Sequence, residues 1–176
     1  MDALIFIVRA LLQIVIVVFL LRVLLPLARA DSRNQLSQAV IRLTNPLVLP
    51  LRRIVPPIGK VDTASIVALL LVQLAATAVL WVLMAYPGLM GTAWFLRVAL
   101  FSLLGTILLF YTYAMFLYIL LSWVAPGTYS PAASLLQSLC EPLLRPVRRL
   151  IPAIAGIDLS ALFVIIGLQA LYILIS

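Results

Sequence analysis

A short cassette rich in proline and arginine occurs twice in this chain, with a constant offset of 96 positions. The first copy covers residues 46–62 and the second covers residues 142–158. Eight of the 17 paired positions are identical, and they include two adjacent arginines and the aspartate that ends each copy. A fixed-period match of this kind indicates two similar structural units in tandem. The doubled cassette therefore constrains the architecture before any local pattern is considered.

The same offset extends over most of the chain. Without gaps it pairs residues 1–80 with 97–176, and 16 of these 80 pairs are identical, half of them inside the cassette. We therefore expect a first repeat at 1–85, a short outer connection at 86–96 and a second repeat at 97–176. Each repeat is predicted to contain two apolar helices joined by a polar loop that carries the cassette.

Composition indicates an integral membrane protein. Hydrophobic residues make up 66% of the chain and charged residues 10%, whereas soluble domains are about 45–50% apolar. A helix of about 20 apolar residues spans the hydrocarbon core of a bilayer. We predict an all-α protein with four transmembrane helices in two repeats of parallel topology. Their approximate ranges are 5–28, 64–85, 94–124 and 159–176.

The basic residues predict the orientation. The two loops within the repeats hold nine of them, whereas only Arg9 and Arg97 lie near the opposite ends of the helices. Cytoplasmic loops are enriched in lysine and arginine. We therefore expect both cassettes in the cytoplasm and both termini outside.

The cassette loops also carry a helical pattern. Leu36, Ala39, Val40 and Leu43 follow helical spacing, which predicts a short amphipathic helix at the membrane interface. Prolines inside a helix remove hydrogen bonds and clash with the preceding turn. We therefore expect the cassettes to form short, bent pieces, with Asn45 as an N-cap before a proline at the first helical position. The cassette prolines are Pro46, Pro50, Pro56, Pro142, Pro146 and Pro152.

The arginine pairs allow two interpretations. Arg52 and Arg53, with Arg148 and Arg149 in the second copy, could anchor the loops to anionic lipid headgroups and set the topology. Alternatively, prolines at a fixed register could hold the arginines as a docking surface for an anionic ligand or for a membrane or cytoplasmic protein. The net charge of +7 does not predict nucleic-acid binding, because the basic residues lie beside apolar segments.

Other polar residues sit at repeated positions. Asp62 and Asp158 precede the second helix of each repeat, where each could cap the helix or pair with a cassette arginine. Gln73 and Gln169 follow eleven residues later and are expected to join helices through hydrogen bonds. Arg22, inside the first helix, is expected to extend toward the cytoplasmic surface.

The residues that most chemistry requires are scarce. There is no histidine, and Cys140 is the one cysteine. The sequence contains no phosphate-binding glycine loop and no nucleophile elbow. We therefore expect neither an enzyme nor a bound cofactor or metal.

The pattern Asn-Pro-Leu…Pro-Leu-Arg-Arg-Ile-Val-Pro-Pro-Ile-Gly…Asp at 45–62, with its second copy at 141–158, resembles the YggT family of bacterial membrane proteins, which includes the YlmG proteins. The second copy departs from the first at Ala155 and Gly156. The resemblance implies a multi-pass protein of the bacterial inner membrane, with links to osmotic stress, ion homeostasis, cell division or envelope organisation. Plastid relatives are associated with cytochrome bf maturation and nucleoid distribution.

Two functional hypotheses follow from these features. The first is a non-catalytic scaffold or assembly factor whose cassettes bind a protein partner or anionic lipid. The second is a small channel or transport accessory, which would have to form a homo-oligomer because four helices enclose little space. The first predicts a role for the cassette arginines, and the second predicts a role for intramembrane polar groups such as Gln73 and Gln169.

Overall fold

The computed structural model describes residues 2–58, 62–84, 91–124, 130–150 and 160–175, with the side chains of residues 123, 124 and 150 left aside. This part of the chain is all-α, as predicted. Its six helices are α1 (Asp2–Leu27), α2 (Gln35–Ile54), α3 (Thr63–Leu83), α4 (Thr92–Val124), α5 (Pro131–Leu150) and α6 (Ser160–Ile175).

Three of these helices, α1, α3 and α4, are long and apolar enough to cross a membrane. Helix α4 has 33 residues, which at about 1.5 Å per residue exceeds a hydrocarbon core of about 30 Å. Helix α6 is equally apolar but has only 16 described residues. Three of the four predicted spans therefore meet the length requirement.

The two repeats have the same internal arrangement. Helix α1 packs along α3, and α4 packs along α6. Helix α2 then contacts both α1 and α3, while α5 contacts both α4 and α6. Helices α2 and α5 begin and end at positions that differ by 96, the offset of the sequence repeat. Each cassette is thus held against a pair of apolar helices.

Small residues permit this close packing in the first repeat. Ala64 and Ala68 of α3 are almost completely buried beside Leu20 of α1, and Val48 of α2 joins the same cluster. Small side chains let helix backbones approach closely, which favours association in membranes. In the second repeat Leu144 of α5 occupies the position that corresponds to Val48 and is also fully buried.

The prediction that prolines divide each cassette into short pieces is wrong. Helix α2 runs unbroken through Pro46 and Pro50, and α5 runs unbroken through Pro142 and Pro146. The N-cap of α2 is Asn34, whose side chain accepts a hydrogen bond from the Leu36 amide, and Asn45 lies inside the helix.

Proline spacing explains why these helices continue. Two prolines separated by about one helical turn lie on the same face, and all four of these prolines are exposed. Each one deprives the carbonyl four residues earlier of its hydrogen bond. In α2 these carbonyls belong to Arg42 and Pro46, on the exposed face, where water or headgroups can replace the lost bond. The opposite face remains packed, so the burial of Val40, Thr44 and Val48 stabilises the helix as a whole.

Helices α2 and α5, which we call the cassette helices, also contact each other. Asn34 donates through Nδ2 to the carbonyl oxygen of Pro131 at 2.6 Å and to Ser134 Oγ at 3.1 Å. Beside this contact, Leu135 and Leu139 of α5 lie in an apolar cluster with Leu25 of α1 and Val40 of α2. Helices α2 and α5 therefore contact each other through their N-terminal halves, ahead of the two cassettes.

Candidate functional site: the cassette helices

The register of α2 separates the two arginines of the first cassette. Its buried face contains Val40, Thr44 and Val48, which follow at intervals of four residues. Adjacent residues in an α-helix differ by about 100° around its axis. Arg52 therefore lies on the same side as Val48, toward the start of α3, whereas Arg53 lies on the outer side.

Arg52 forms an ion pair with Asp62, at the start of α3. Its Nη2 contacts Asp62 Oδ2, and its Nε lies 3.4 Å from Oδ1. Asp62 occupies the N-cap position of α3, but its side chain makes no capping hydrogen bond. Of the two roles that the sequence left open for Asp62, the structure shows the ion pair. This contact ties the end of α2 to the start of α3.

Asp62 has a second partner in Ser65, whose Oγ donates to Asp62 Oδ2 at 2.7 Å. Burial by itself raises the pKa of Asp62, but the hydrogen bonds from Arg52 and Ser65 outweigh this effect. The net pKa lies below the ordinary value of an aspartate. The carboxylate therefore stays ionised at neutral pH.

Arg22 lies on the inner side of the same group. Its side chain is buried, with a relative exposure of 6% for the residue, and Nε donates to Ser65 Oγ at 3.4 Å. Nη1 of Arg22 has no hydrogen-bond partner among the described residues. The side chain of Arg22 therefore extends toward the cassette end of the helices, but Ser65 holds its guanidinium buried inside the first repeat and not at the surface.

In the second cassette Arg148, the counterpart of Arg52, has different partners. Arg148 Nη1 lies 3.1 Å from Glu141 Oε2, and Nη2 donates to Tyr118 Oη at 3.2 Å. Glu141 also contacts Arg145 at 3.4 Å. By the 96-residue offset Tyr118 corresponds to Arg22, so a neutral hydroxyl replaces the buried cation of the first repeat. Asp158, the counterpart of Asp62, lies outside the described residues.

The second arginine of each pair differs from the first. We call Arg52 and Arg148 the inner arginines and Arg53 and Arg149 the outer arginines. Arg53 and Arg149 are exposed, and neither has an ion pair within the described part of the chain. From the sequence pattern each arginine pair is expected to act as one unit, and the structure shows that it does not. The signal was present in the helical register, because two adjacent residues cannot both face the start of the next helix.

Four cassette prolines lie on the exposed faces of α2 and α5, as these arginines do. Pro46, Pro50, Pro142 and Pro146 are exposed. Pro56 follows the end of α2, and its carbonyl accepts a hydrogen bond from Thr63 Oγ1 at 2.7 Å. Pro152 lies outside the described residues.

The glutamines lie away from the cassettes. Gln73 has a relative exposure of 3%, its Nε2 donates to Thr77 Oγ1 at 3.3 Å, and its Oε1 has no partner among the described residues. It lines a cavity of about 320 Å³ between α1, α3 and α4 that also borders Arg9 and Gln13. Gln169 is half-buried in α6. The structure does not bring the two glutamines together with the arginine pairs.

Cys140 lies beneath the second cassette. It is fully buried, and burial raises the pKa of its thiol to about 12. The corresponding residue in the first repeat is Thr44, which is also fully buried and donates to the carbonyl of Val40 at 2.8 Å. A thiol with such a pKa remains protonated at neutral pH, so Cys140 packs as a small apolar side chain.

Comparison with known proteins gives relatives along nearly the whole chain. PA0392 of Pseudomonas aeruginosa is 40% identical over 177 residues, covering 99% of this chain and 88% of that protein. A protein encoded in the proC 3′ region of Vibrio alginolyticus is 37% identical, covering 96% and 91%. YggT of Escherichia coli K12 is 33% identical, covering 97% and 88%. These three relatives are described as uncharacterised.

No solved structure matches the chain. The family model described as CCB3/YggT matches it in two segments, residues 1–83 and 98–176. The two segments correspond to the two halves of the sequence repeat, each with its own cassette. The chain therefore belongs to the CCB3/YggT family, as a member with two tandem repeats.

Proposed function

We propose that this protein is a non-catalytic membrane scaffold whose cassette helices, α2 and α5, bind anionic lipid headgroups at the cytoplasmic face of a bacterial inner membrane. One observation carries the proposal. Both repeats fix their inner arginine through a carboxylate and leave the outer arginine, Arg53 or Arg149, exposed without an ion pair among the described residues.

The chemistry of the arginine side chain supports a phosphate-bearing ligand. A guanidinium presents several N–H donors in a planar fork that matches phosphate oxygens. An arginine that is already paired with an acid has fewer N–H donors free for another anion. Within the described residues Arg53 and Arg149 have no such pair, and each follows directly after an arginine that the fold holds in place.

Charge balance supports the same ligand. Helices α2 and α5 together contain six arginines and one acidic residue, Glu141. Basic residues next to a membrane gain about 1 kcal/mol each from an anionic leaflet. Because Arg52 pairs with the residue that precedes α3, the end of α2 lies beside the start of an apolar helix. At this position, beside the start of a membrane-spanning helix, the arginines would lie at the level of the lipid headgroups.

The topology that we propose places α6 as a fourth span, the cassettes in the cytoplasm and both termini outside. It rests on the distribution of basic residues between the two ends of the helices. Single cysteines at exposed Arg33 and Arg97, in a Cys140→Thr background, test it through labelling of intact cells with a membrane-impermeant maleimide. Labelling at 97 but not at 33 is expected, and the reverse pattern contradicts the proposed orientation.

The lipid proposal is tested with purified protein in nanodiscs of phosphatidylcholine alone and of phosphatidylcholine with phosphatidylglycerol. The double variant Arg53→Gln/Arg149→Gln is compared with Arg9→Gln/Arg97→Gln, which removes the same charge from the opposite end of the helices. We expect phosphatidylglycerol to raise the unfolding temperature of the wild type and of the Arg9/Arg97 variant. The Arg53/Arg149 variant should lose most of this increase.

Equal stabilisation of both variants by phosphatidylglycerol would contradict lipid recognition by the outer arginines. A crosslinking pull-down from native membranes then tests the protein-docking form of the scaffold hypothesis. In that experiment a partner lost only from the Arg53/Arg149 variant would assign these arginines to a protein instead of a lipid.

A further inference from the structure

Two identical leucines of the repeat have opposite environments. Leu43 of α2 and Leu139 of α5 correspond by the 96-residue offset. Leu139 has a relative exposure of 1%, because it packs in the cluster between the two repeats, whereas Leu43 has a relative exposure of 69%. The same side chain is therefore used as a contact between repeats in one copy and left uncovered in the other.

The surface that receives Leu139 shows the complementary asymmetry. We call it the acceptor groove; in the first repeat it contains Leu21, Leu24 and Leu25 of α1, all at least partly buried in that cluster. The corresponding residues of α4 are also leucines. They are more exposed, with relative exposures of 49% for Leu117 and 36% for Leu120, and Leu121 is half-buried.

These differences show how the repeats associate. If a two-fold axis related them, Leu43 would be buried in the second repeat just as Leu139 is buried in the first. Instead the contact is head to tail: Leu139 of the second repeat shares a buried cluster with Leu25 of α1 and Val40 of α2 in the first repeat. Such heterologous contacts leave one groove empty at one end and one leucine uncovered at the other.

We propose that a second copy of this chain docks at these surfaces, inserting its Leu43 between Leu117 and Leu121 as Leu139 inserts beside Leu21 and Leu25. The new contact would repeat between copies the contact that already joins α2 to α5 within the chain. The occupant is therefore a second copy and not an unrelated partner. Repetition of the contact gives a closed ring or an open row of repeats, depending on the rotation at each step.

The pattern of identities supports protein contact over lipid contact. Of the 16 identical pairs, eight lie outside the cassette, and four of these eight belong to the leucine or to the groove. Facing lipid requires only an apolar side chain, and at many other paired positions leucine, valine, isoleucine and phenylalanine replace one another. Two further identical leucine pairs, Leu4 with Leu100 and Leu12 with Leu108, lie outside this surface. Retaining leucine on both sides of this surface is expected if both repeats make the same contact.

Pairs of cysteines on two different copies test the proposal. Asn34 and Ser134, which touch within one chain, correspond by the offset to Ser130 and Gln38. Full-length protein with Cys140→Thr is therefore coexpressed as two forms of different size, one with Ser130→Cys and the other with Gln38→Cys. Oxidation in native membranes should give a disulfide-linked species with the summed mass of the two forms.

Three controls define the outcome. Asn34→Cys/Ser134→Cys in one chain should form an intrachain disulfide and so reports folding. Replacing Ser130→Cys by Gln137→Cys, at an exposed position further along α5, should give only background. Adding Leu43→Glu to the Gln38→Cys copy should abolish the mixed species while the intrachain control pair still forms in that variant.

A yield of the mixed species no higher than that of the Gln137 pair would overturn the proposal. So would an efficient disulfide from the Gln38→Cys form alone, because that product requires α2 to face α2 across a two-fold axis. Loss of the mixed species in the Leu43→Glu variant, with an intact intrachain disulfide, supports docking of a second copy through Leu43.

Discussion

Arg52 and Asp62 join the C-terminal end of α2 to the N-terminal end of α3 through contacts from both Nη2 and Nε of the guanidinium. The carboxylate side chain is 15% exposed and the arginine side chain 45% exposed. Since Ser65 binds the same carboxylate and also contacts Arg22, the pair connects three helices of the first repeat. This arrangement separates the structural arginine of the cassette from its exposed neighbour.

The two adjacent arginines should therefore respond differently to substitution. Arg52→Gln is expected to lower the free energy of unfolding by about 1 kcal/mol, because it removes charged hydrogen bonds from a largely buried carboxylate while Arg52 itself is partly solvated. Arg53→Gln should change it by less than about 0.5 kcal/mol. Thermal unfolding of both variants in detergent measures the difference, and equal losses would contradict the assigned roles.

The ion pair also predicts a pH dependence. The pKa of Asp62 is lower in the folded protein than its ordinary value, so the unfolded state binds more protons in acid. The stabilisation by Asp62 is present above the unfolded pKa of about 3.9 and is lost as the pH falls through the folded pKa. The stability difference between wild type and Asp62→Asn should therefore shrink below about pH 4. A difference that stays constant from neutral to acidic pH would count against the pair.

Removal of a cassette proline should stabilise the protein. Pro50 is exposed inside α2, and Pro50→Ala restores an amide that can donate to the carbonyl of Pro46. The helix gain is partly offset by greater freedom of the unfolded chain, so we expect a net increase of about 1 kcal/mol in the free energy of unfolding. Pro56→Ala, beyond the end of the helix, should give no such gain. Destabilisation by Pro50→Ala would show that the ring makes a contact that the helix needs.

Cys140 should be inert in the folded protein. Its thiol is buried, and its pKa is raised to about 12, so maleimide is expected to label it only after unfolding. Cys140→Thr should cost less than about 1 kcal/mol, because the hydroxyl can donate to the carbonyl of Leu136 as Thr44 does to Val40. Cys140→Leu should cost about 1–3 kcal/mol through overpacking. Labelling rates and thermal unfolding check both expectations.

Features with a local physical origin could be predicted from the sequence. Apolar length indicates a membrane helix wherever it occurs, so the ranges of α1, α3 and α4 were predicted closely. The offset of 96 likewise predicted that α2 and α5 would correspond. Helical spacing of Leu36, Val40 and Leu43 indicated an amphipathic helix, but spacing alone does not tell which apolar side chains are covered.

The prediction failed where long-range packing competes with local preference. Proline disfavours a helix interior, which predicts that α2 is divided at Asn45. In the folded protein the buried stripe that includes Val48 holds the helix together, while its prolines face outward and leave only exposed carbonyls without their amide partners.

The sequence by itself determined the membrane class, the family and the two-repeat plan, since composition and register do not depend on how helices meet. Only the tertiary structure decided that Arg52 faces Asp62 while Arg53 faces outward, and that Leu139 is buried while Leu43 is not. The reason is that identical residues at corresponding positions, such as Leu43 and Leu139, have the same local preferences in both copies. Their environments depend on which neighbour each copy meets, and the first and second repeats meet different ones.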